Sequence, residues 1–201
     1  LAGNIMSIVE QPDYKLIKSK ENIEIRNYPP MIVAEVKVAG ERKEAIREGF
    51  KLLADYIFGN NTSSKKMDMT APVTSELSEK MSMTAPVTQE EEMGKWKVKF
   101  VMPKKYRLDT LPKPKFENVV LVQIPAKCFA VIRFSGLADD ESIELHTEQL
   151  KAYILAEKLK PIGGTVLAFY NPPWTLPFLR RNEIMIEVDP TIDSKSIESY
   201  L

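Results

Sequence analysis

Hydrophobic and polar positions alternate along residues 23–28 and 32–38 with the period of an extended strand. In the second segment every other residue is apolar, and Glu35 and Lys37 fall between them. One face of such a strand is buried and the other meets water. Pro29 and Pro30 separate the two segments and favour a turn. We therefore predict that the two segments pair as a hairpin.

The period changes to that of an amphipathic helix in residues 41–58. Ile46, Phe50, Leu53 and Ile57 recur at steps of four, three and four residues, and charged residues occupy the other side. Gly59 offers a left-handed position at which this helix ends. The second half of the chain repeats the order of the first, with a strand at residues 129–134, a helix at 140–159 and strands at 165–170 and 183–189. The corresponding later strands of the first half are expected within residues 67–88 and at 95–102.

This repeat predicts an α+β fold. Each of two pseudo-symmetric halves would contribute strand, strand, helix, strand and strand, and the halves would form a distorted antiparallel β-barrel with two main helices packed against it. Residues 66–74 return almost unchanged as residues 80–88, which favours two extended segments joined by a turn. A chain of 201 residues can bury one core, so we predict a single domain over residues 1–201, with Pro112 and Pro114 in a connector.

Composition excludes several classes of protein. Twenty-eight Lys and Arg balance 28 Asp and Glu, so no positive field favours nucleic acid. No apolar run reaches the roughly 18 residues that span a bilayer. A single cysteine, Cys128, cannot form an intramolecular disulfide and favours the cytoplasm. The chain starts at Leu1, and export or membrane anchoring is expected instead if a leader segment has been removed.

Few residues carry obvious chemistry. His146 falls beside the apolar stripe of the second predicted helix, where a packed side chain is favoured over an axial ligand or a general base, because no nucleophile motif accompanies it. Cys128 has no partner spacing that supports redox chemistry. With one histidine and one cysteine, a structural zinc site is not expected. The nine methionines favour core packing over haem coordination.

An apolar, proline-rich loop occupies residues 170–178. A loop that displays Trp174 and Phe178 either folds back onto the core or forms one wall of a ligand site. Arg180 and Arg181 follow it and either hold a ligand carboxylate or pair with Glu183. The residues themselves leave both alternatives open.

Several motifs together resemble the SOUL/HEBP haem-binding protein family. They are Glu-Ile-Arg-Asn-Tyr at 24–28, the two Met-Thr-Ala-Pro-Val segments, Phe-Ser-Gly at 134–136, Tyr-Asn-Pro-Pro-Trp at 170–174 and Arg-Arg-Asn-Glu at 180–183. They run in the family's order over about residues 12–189. The resemblance implies two helices on a distorted barrel, binding of haem and other tetrapyrroles, and kinship with bacterial effector-binding domains of the gyrase-inhibitor type.

The resemblance also implies a position for the porphyrin, which is a flat apolar disc that carries two carboxylates. Such a ligand needs an apolar wall and a nearby cation. In the family the porphyrin is placed against the first helix, at positions that match Arg47, Phe50 and Ala54, with Lys51 one turn from Arg47. Lys97 matches a further basic position near that pocket. We add Trp174 and Phe178 of the apolar loop as candidate contacts.

Two positions depart from the family pattern. Asp55 stands where relatives carry a lysine, and its charge would repel a propionate. Asn27 stands where some members carry an iron-ligating histidine, so no axial ligand and no metal site is predicted. The competing interpretation of Arg47, Lys51 and Asp55 is a solvated helix face.

We therefore predict a non-catalytic carrier, buffer or sensor that holds haem or another tetrapyrrole by hydrophobic contact and propionate pairing. The first alternative is a small-molecule effector-binding domain, which would show a buried carboxylate in an aromatic cleft. The second is a protein-interaction module that docks through the proline-rich loop. An enzyme that processes a tetrapyrrole is disfavoured by the absence of a nucleophile motif and a metal set. The sequence indicates no oligomeric state.

Overall fold

A computed structural model describes residues 10–63, 80–81, 85–171 and 175–190. In chain order the regular elements are β1 (Lys15–Lys20), β2 (Ile23–Tyr28), β3 (Met31–Ala39), α1 (Arg42–Ile57), β4 (Asn61–Thr62), β5 (Val87–Glu92), β6 (Lys95–Val101), β7 (Lys113–Pro114), β8 (Val120–Ile124), β9 (Lys127–Phe134), α2 (Asp140–Ala156), β10 (Pro161–Phe169), a short 3-10 helix (Pro177–Leu179) and β11 (Asn182–Val188). The α+β class is thereby confirmed.

The chain separates into two compact units, and each contains an antiparallel sheet and one long helix. Unit 1 comprises Met31–Ile124 and the residues up to Gln11, and unit 2 comprises Pro12–Pro30 and the residues from Pro125 onward. The strand order within unit 1 is β5-β6-β3-β8, and within unit 2 it is β1-β2-β9-β11-β10. Neither unit's sheet closes on itself, so the barrel stays a prediction, as does the single domain.

In unit 1, helix α1 packs against β3 and β6. The helix begins at Arg42 because the carboxylate of Glu41 accepts hydrogen bonds from the first backbone N–H groups. Gly49 faces the sheet, where a Cβ atom would come within 2.8 Å of Val98 and 3.1 Å of Val36. The absence of a side chain at Gly49 therefore allows the helix to approach the sheet closely.

In unit 2, helix α2 packs against β9 and β11. Its first turn is capped by Asp139, whose Oδ1 accepts a hydrogen bond from the Ser142 N–H at 2.8 Å. Alternate residues of the two strands enter the core beneath the helix, among them Ala130, Ile132, Ile184 and Ile186. One face of this sheet is therefore covered by α2, and the intervening residues point to the other face.

The predicted hairpin of residues 23–38 is wrong. Strand β2 pairs with β1 and β9, whereas β3 pairs with β6 and β8. Pro29 and Pro30 have no backbone N–H and a restricted φ, and at this point the chain passes from unit 2 into unit 1. A two-residue period identifies a strand and its buried face, but it does not identify the strand's partner.

Other expectations agree with the structure more closely. The two predicted helices are confirmed within three residues at each end. The predicted connector at Pro112 and Pro114 contains β7, and the sequence prediction missed β1, β4, β7 and β8. The methionine repeat falls largely outside the described residues, and only residues 80–81 and 85–88 of its second copy are described. Among the described residues, no helix is both long and apolar enough to cross a bilayer.

We predict that Gly49→Ala destabilises the chain. Alanine favours a helix by up to about 1 kcal/mol over glycine, but its Cβ would overlap two stiff valines, and overpacking costs about 1–3 kcal/mol. Urea unfolding should show a lower free energy of unfolding for Gly49→Ala. The exposed control Glu48→Ala should lie within about 0.5 kcal/mol of wild type. A stabilised Gly49→Ala would contradict the close approach.

Candidate functional site

Four of the predicted binding residues share one surface of α1. Arg47 and Lys51 are exposed and lie one helical turn apart, and Ala54 is half-buried beside them. The Phe50 side chain is 41% exposed, and its ring centroid lies 5.7 Å from that of buried Phe100. These four residues are here called the α1 surface. They combine a solvent-accessible apolar area, in which Phe50 packs on buried Phe100, with two cations.

Asp55 lies beside the α1 surface. The residue is exposed, and Asp55 Oδ2 accepts a hydrogen bond from Asn60 Nδ2 at 2.6 Å. No cation is paired with this carboxylate among the described residues. Its negative charge therefore opposes the attraction that Arg47 and Lys51 exert on an anionic ligand.

Lys97 does not join the α1 surface. Its neighbours Val98 and Phe100 contact the helix, so the alternation of strand β6 directs Lys97 to the opposite face of the sheet. There Lys97 Nζ lies 2.7 Å from Glu92 Oε2 and 3.7 Å from Glu90 Oε1. Burial lowers the pKa of Lys97, but these carboxylates outweigh burial and raise it. The family resemblance predicted that Lys97 lies near a porphyrin bound at α1, whereas the structure places the Lys97 side chain on the opposite face of the sheet.

The apolar loop belongs to unit 2. Trp174 lies outside the described residues. Phe178 lies in the 3-10 helix and is 72% exposed. The Phe178 side chain therefore does not pack on the core. The Arg180 side chain donates a hydrogen bond from Nε to the Thr175 carbonyl at 2.9 Å.

A buried ion pair joins β2 to β11 on the face of the unit 2 sheet that is opposite α2. Arg26 and Glu183 have no exposed side-chain surface. The guanidinium of Arg26 donates two parallel hydrogen bonds to the carboxylate, from Nη1 to Oε1 at 2.8 Å and from Nη2 to Oε2 at 2.7 Å. Arg181 adds two further hydrogen bonds to Glu183 Oε2, from Nη2 at 3.1 Å and from Nε at 3.3 Å. Of the two alternatives left open for the two arginines, Arg181 thus shows the pairing with Glu183.

Tyrosines surround this pair. Arg26 Nη1 donates to Tyr28 Oη at 2.9 Å, and the Arg26 guanidinium lies 4.3 Å from the ring centroid of Tyr14. Burial raises the pKa of Tyr28 to about 12 and raises that of Tyr170 as well. The tyrosines are therefore neutral at physiological pH and act as hydrogen-bonding and stacking groups.

The charge of the Arg26 guanidinium keeps the Glu183 carboxylate ionised, which gives Glu183 a structural role. Burial alone would raise the pKa of Glu183, but the hydrogen bonds and charge of Arg26 outweigh it and lower the pKa to about 2. A carboxylate that stays ionised and is paired with three arginines, Arg26, Arg181 and Arg133, is a poor proton donor. Sequence reasoning missed this role of Arg26, although a charged residue inside the strand pattern of residues 23–28 could have indicated a buried partner.

His146 packs as predicted. Its ring stacks on Phe134 at a centroid distance of 4.0 Å and an interplanar angle of 11°. Nδ1 lies 2.6 Å from the Ser142 carbonyl, and a carbonyl only accepts, so Nδ1 carries the proton. Cys128 is buried. Among the described residues, no group of three or more His, Cys, Asp or Glu could hold a metal ion.

Comparison with known families gives one match. The model of a family described as SOUL heme-binding protein matches residues 9–187. A comparison with curated proteins found no match.

Solved structures share the fold at low sequence identity. The crystal structure of the EcmrR C-terminal domain has a TM-score of 0.60 at 11% identity, and the match covers 88% of this chain and 98% of that chain. The crystal structure of a hydrolase from Listeria innocua has a TM-score of 0.55 at 11% identity, with coverage of 86% and 94%. At this identity the likeness shows the fold alone.

We predict that Arg26→Met strongly destabilises the chain, because it leaves Glu183 buried without its bidentate partner. Breaking a buried pair in this way costs about 3–5 kcal/mol. The control Glu24→Gln removes the partly exposed carboxylate that accepts from Arg26 Nε at 2.6 Å and should cost about 1 kcal/mol or less. Urea unfolding at pH 7 measures both, and equal losses would contradict a dominant role for Glu183.

The same carboxylate predicts a pH dependence. The folded-state pKa of Glu183 lies at about 2, below its ordinary value of 4.5, so its stabilisation is complete above about pH 4.5 and is lost as the pH falls toward 2. The free energy of unfolding should therefore decrease with acidification below pH 4.5. Glu183→Gln should show a shallower decrease between pH 5 and 3, whatever its stability at pH 7. Parallel profiles would contradict this assignment.

Proposed function

The chain belongs to the SOUL heme-binding protein family, and from this membership we propose that it binds haem or another tetrapyrrole reversibly and leaves it chemically unchanged. The family match over residues 9–187 carries the proposal. A carrier, a buffer or a sensor would each use such binding.

The α1 surface supports this proposal physically. A tetrapyrrole needs apolar contact across its face and a cation for its carboxylates. Phe50 and Ala54 supply the apolar contact, and Arg47 and Lys51 supply positive charge at the edge. Asp55 weakens that edge, so the electrostatic contribution is small and hydrophobic contact would provide most of the affinity.

Neither of two candidate positions, Asn27 and His146, fits the role of an iron ligand. Asn27 is half-buried on β2, and its amide is a poor ligand for haem iron. The only histidine, His146, is stacked on Phe134, and its Nδ1 is hydrogen-bonded to the Ser142 carbonyl. Binding without an axial protein ligand would accept porphyrins that carry no iron, and it supports a carrier over an enzyme.

The effector-binding alternative is less well supported. A cationic effector would need an available buried carboxylate among aromatic rings. Glu183 has the aromatic surroundings, but the Arg26 guanidinium already occupies its two oxygens. The interaction-module alternative retains one supporting observation, the exposure of Phe178 beside Leu176.

We predict that the pure chain binds both hemin and free-base protoporphyrin IX saturably. Absorbance and fluorescence titrations measure both affinities, and similar values would follow from binding without an iron ligand. Saturable binding of neither porphyrin would overturn the proposal. Loss of the pigment with turnover would indicate an enzyme instead.

Charge variants on α1 test the position of the site. Arg47→Glu should weaken binding of both porphyrins by about two- to fivefold, as expected for a partly exposed ion pair. The control Lys95→Glu makes the same charge change on an exposed residue of β6, on the side of that strand that carries Lys97 and faces away from α1, and it should have a smaller effect. Equal effects of the two variants would move the site away from the α1 surface.

A further inference from the structure

Unit 2 contains a cavity between the second half of α2 and the first half of β10. Its volume is about 450 Å³, which lies in the lower part of the range of about 300–1,000 Å³ for small-molecule sites. The cavity is lined by Lys151, Ile154, Leu155, Leu159, Pro161, Gly163, Gly164, Thr165 and Ile186. This lining is mostly apolar and shares no residue with the α1 surface.

The irregular start of β10 keeps this cavity open. The pairing of β10 with β11 shifts register between Pro161 and Thr165, and two glycines occupy that stretch. A Cβ atom at Gly164 would meet no atom within 4 Å, whereas one at Gly163 would contact the Glu187 side chain at 3.5 Å. A Cβ atom at Gly164 would therefore fit without a clash, and because the residue is glycine this part of the cavity is not filled by a side chain.

The helix side of the cavity exposes apolar surface to water. Leu155 is 80% exposed, although it lies one residue from buried Ile154, and both residues line the cavity. Covering this leucine with an apolar ligand would contribute favourably to binding at about 25 cal/mol per Å² of apolar surface removed from water.

One cation, Lys151, lines the cavity, and no carboxylate is among the lining residues. Lys151 is exposed and forms no ion pair with any residue that the structure describes. Glu187, near the strand wall, is paired with Lys127 at 3.3 Å, and Glu157, at the end of α2, is paired with Lys18 at 2.7 Å. The lining therefore carries one positive charge and no negative one, and the nearest exposed acid on α2, Glu148, lies outside the lining one helical turn before Lys151.

We propose that this cavity binds a fatty acid, with the acyl chain along Leu155 and Gly164 and the carboxylate at Lys151. The apolar lining fits a hydrocarbon chain, and the single unpaired cation fits a single carboxylate. This site is separate from the tetrapyrrole site proposed on α1, and either can exist without the other.

Dodecanoate, used below its micelle-forming concentration, tests the proposal by calorimetry. We expect saturable binding with one molecule per chain. Dodecyltrimethylammonium has the same chain with a cationic head and should bind at least about tenfold more weakly, since it would face Lys151 with like charge. Absence of saturable dodecanoate binding, or equal affinity for the two amphiphiles, would overturn the proposal.

Matched variants then locate the site. Lys151→Glu should weaken dodecanoate binding about fivefold or more, whereas Lys160→Glu, the same change on an exposed lysine outside the lining, should have a smaller effect. Gly164→Leu should weaken binding by at least about tenfold, and Ala152→Leu, which adds a side chain to the exposed side of α2, should leave it unchanged.

If Gly164→Leu fails to fold, Leu155→Glu replaces it in the test. The Leu155 side chain is already largely in water, so a charged residue at this position should not prevent folding. It should abolish dodecanoate binding. Hemin titration of the same variants should match wild type, since none lies on the α1 surface. Unchanged dodecanoate affinity in Lys151→Glu and Leu155→Glu would overturn the assignment to this cavity. A wild-type chain that binds dodecanoate but not hemin would contradict the proposed function and would leave the proposal for this cavity standing.

Discussion

A buried arginine and a buried glutamate constrain unit 2 more than any other pair of described side chains. Arg26 comes from an early strand and Glu183 from the last, 157 residues later, and β9 lies between the two strands. Two charges out of water are tolerated only when each satisfies the other's hydrogen-bonding groups. The pair therefore specifies that β2 and β11 flank β9 and that their polar residues face away from α2.

This arrangement also decides where a ligand finds room. On the sheet face that carries Glu183, an internal guanidinium already fills the place that a cation would take. Two described surfaces that combine open apolar area with a cation lie instead along the two helices. On α1 they are Phe50 and Arg47, and at the cavity beside α2 they are Leu155 and Lys151.

Local patterns predicted local features well. Both helices and most strands follow from the period of their apolar residues, and four predicted binding residues share one surface because a single helix carries them. The prediction failed where a distant partner decides the outcome. Residues 23–28 were paired with the wrong strand, and Lys97 was placed near a pocket although its buried neighbour Val98 directs it to the opposite face.

The sequence by itself determined both long helices, most of the longer strands, the buried side of α1 and, through its motifs, the family. Tertiary structure alone decided that Arg26 meets Glu183, that the start of β10 leaves a cavity beside Leu155, and which cations remain unpaired. The physical reason is the sequence separation of the residues that take part. Periodicity reports which side of one element is buried, whereas an ion pair or a cavity depends on residues far apart in the chain that only the folded packing brings together.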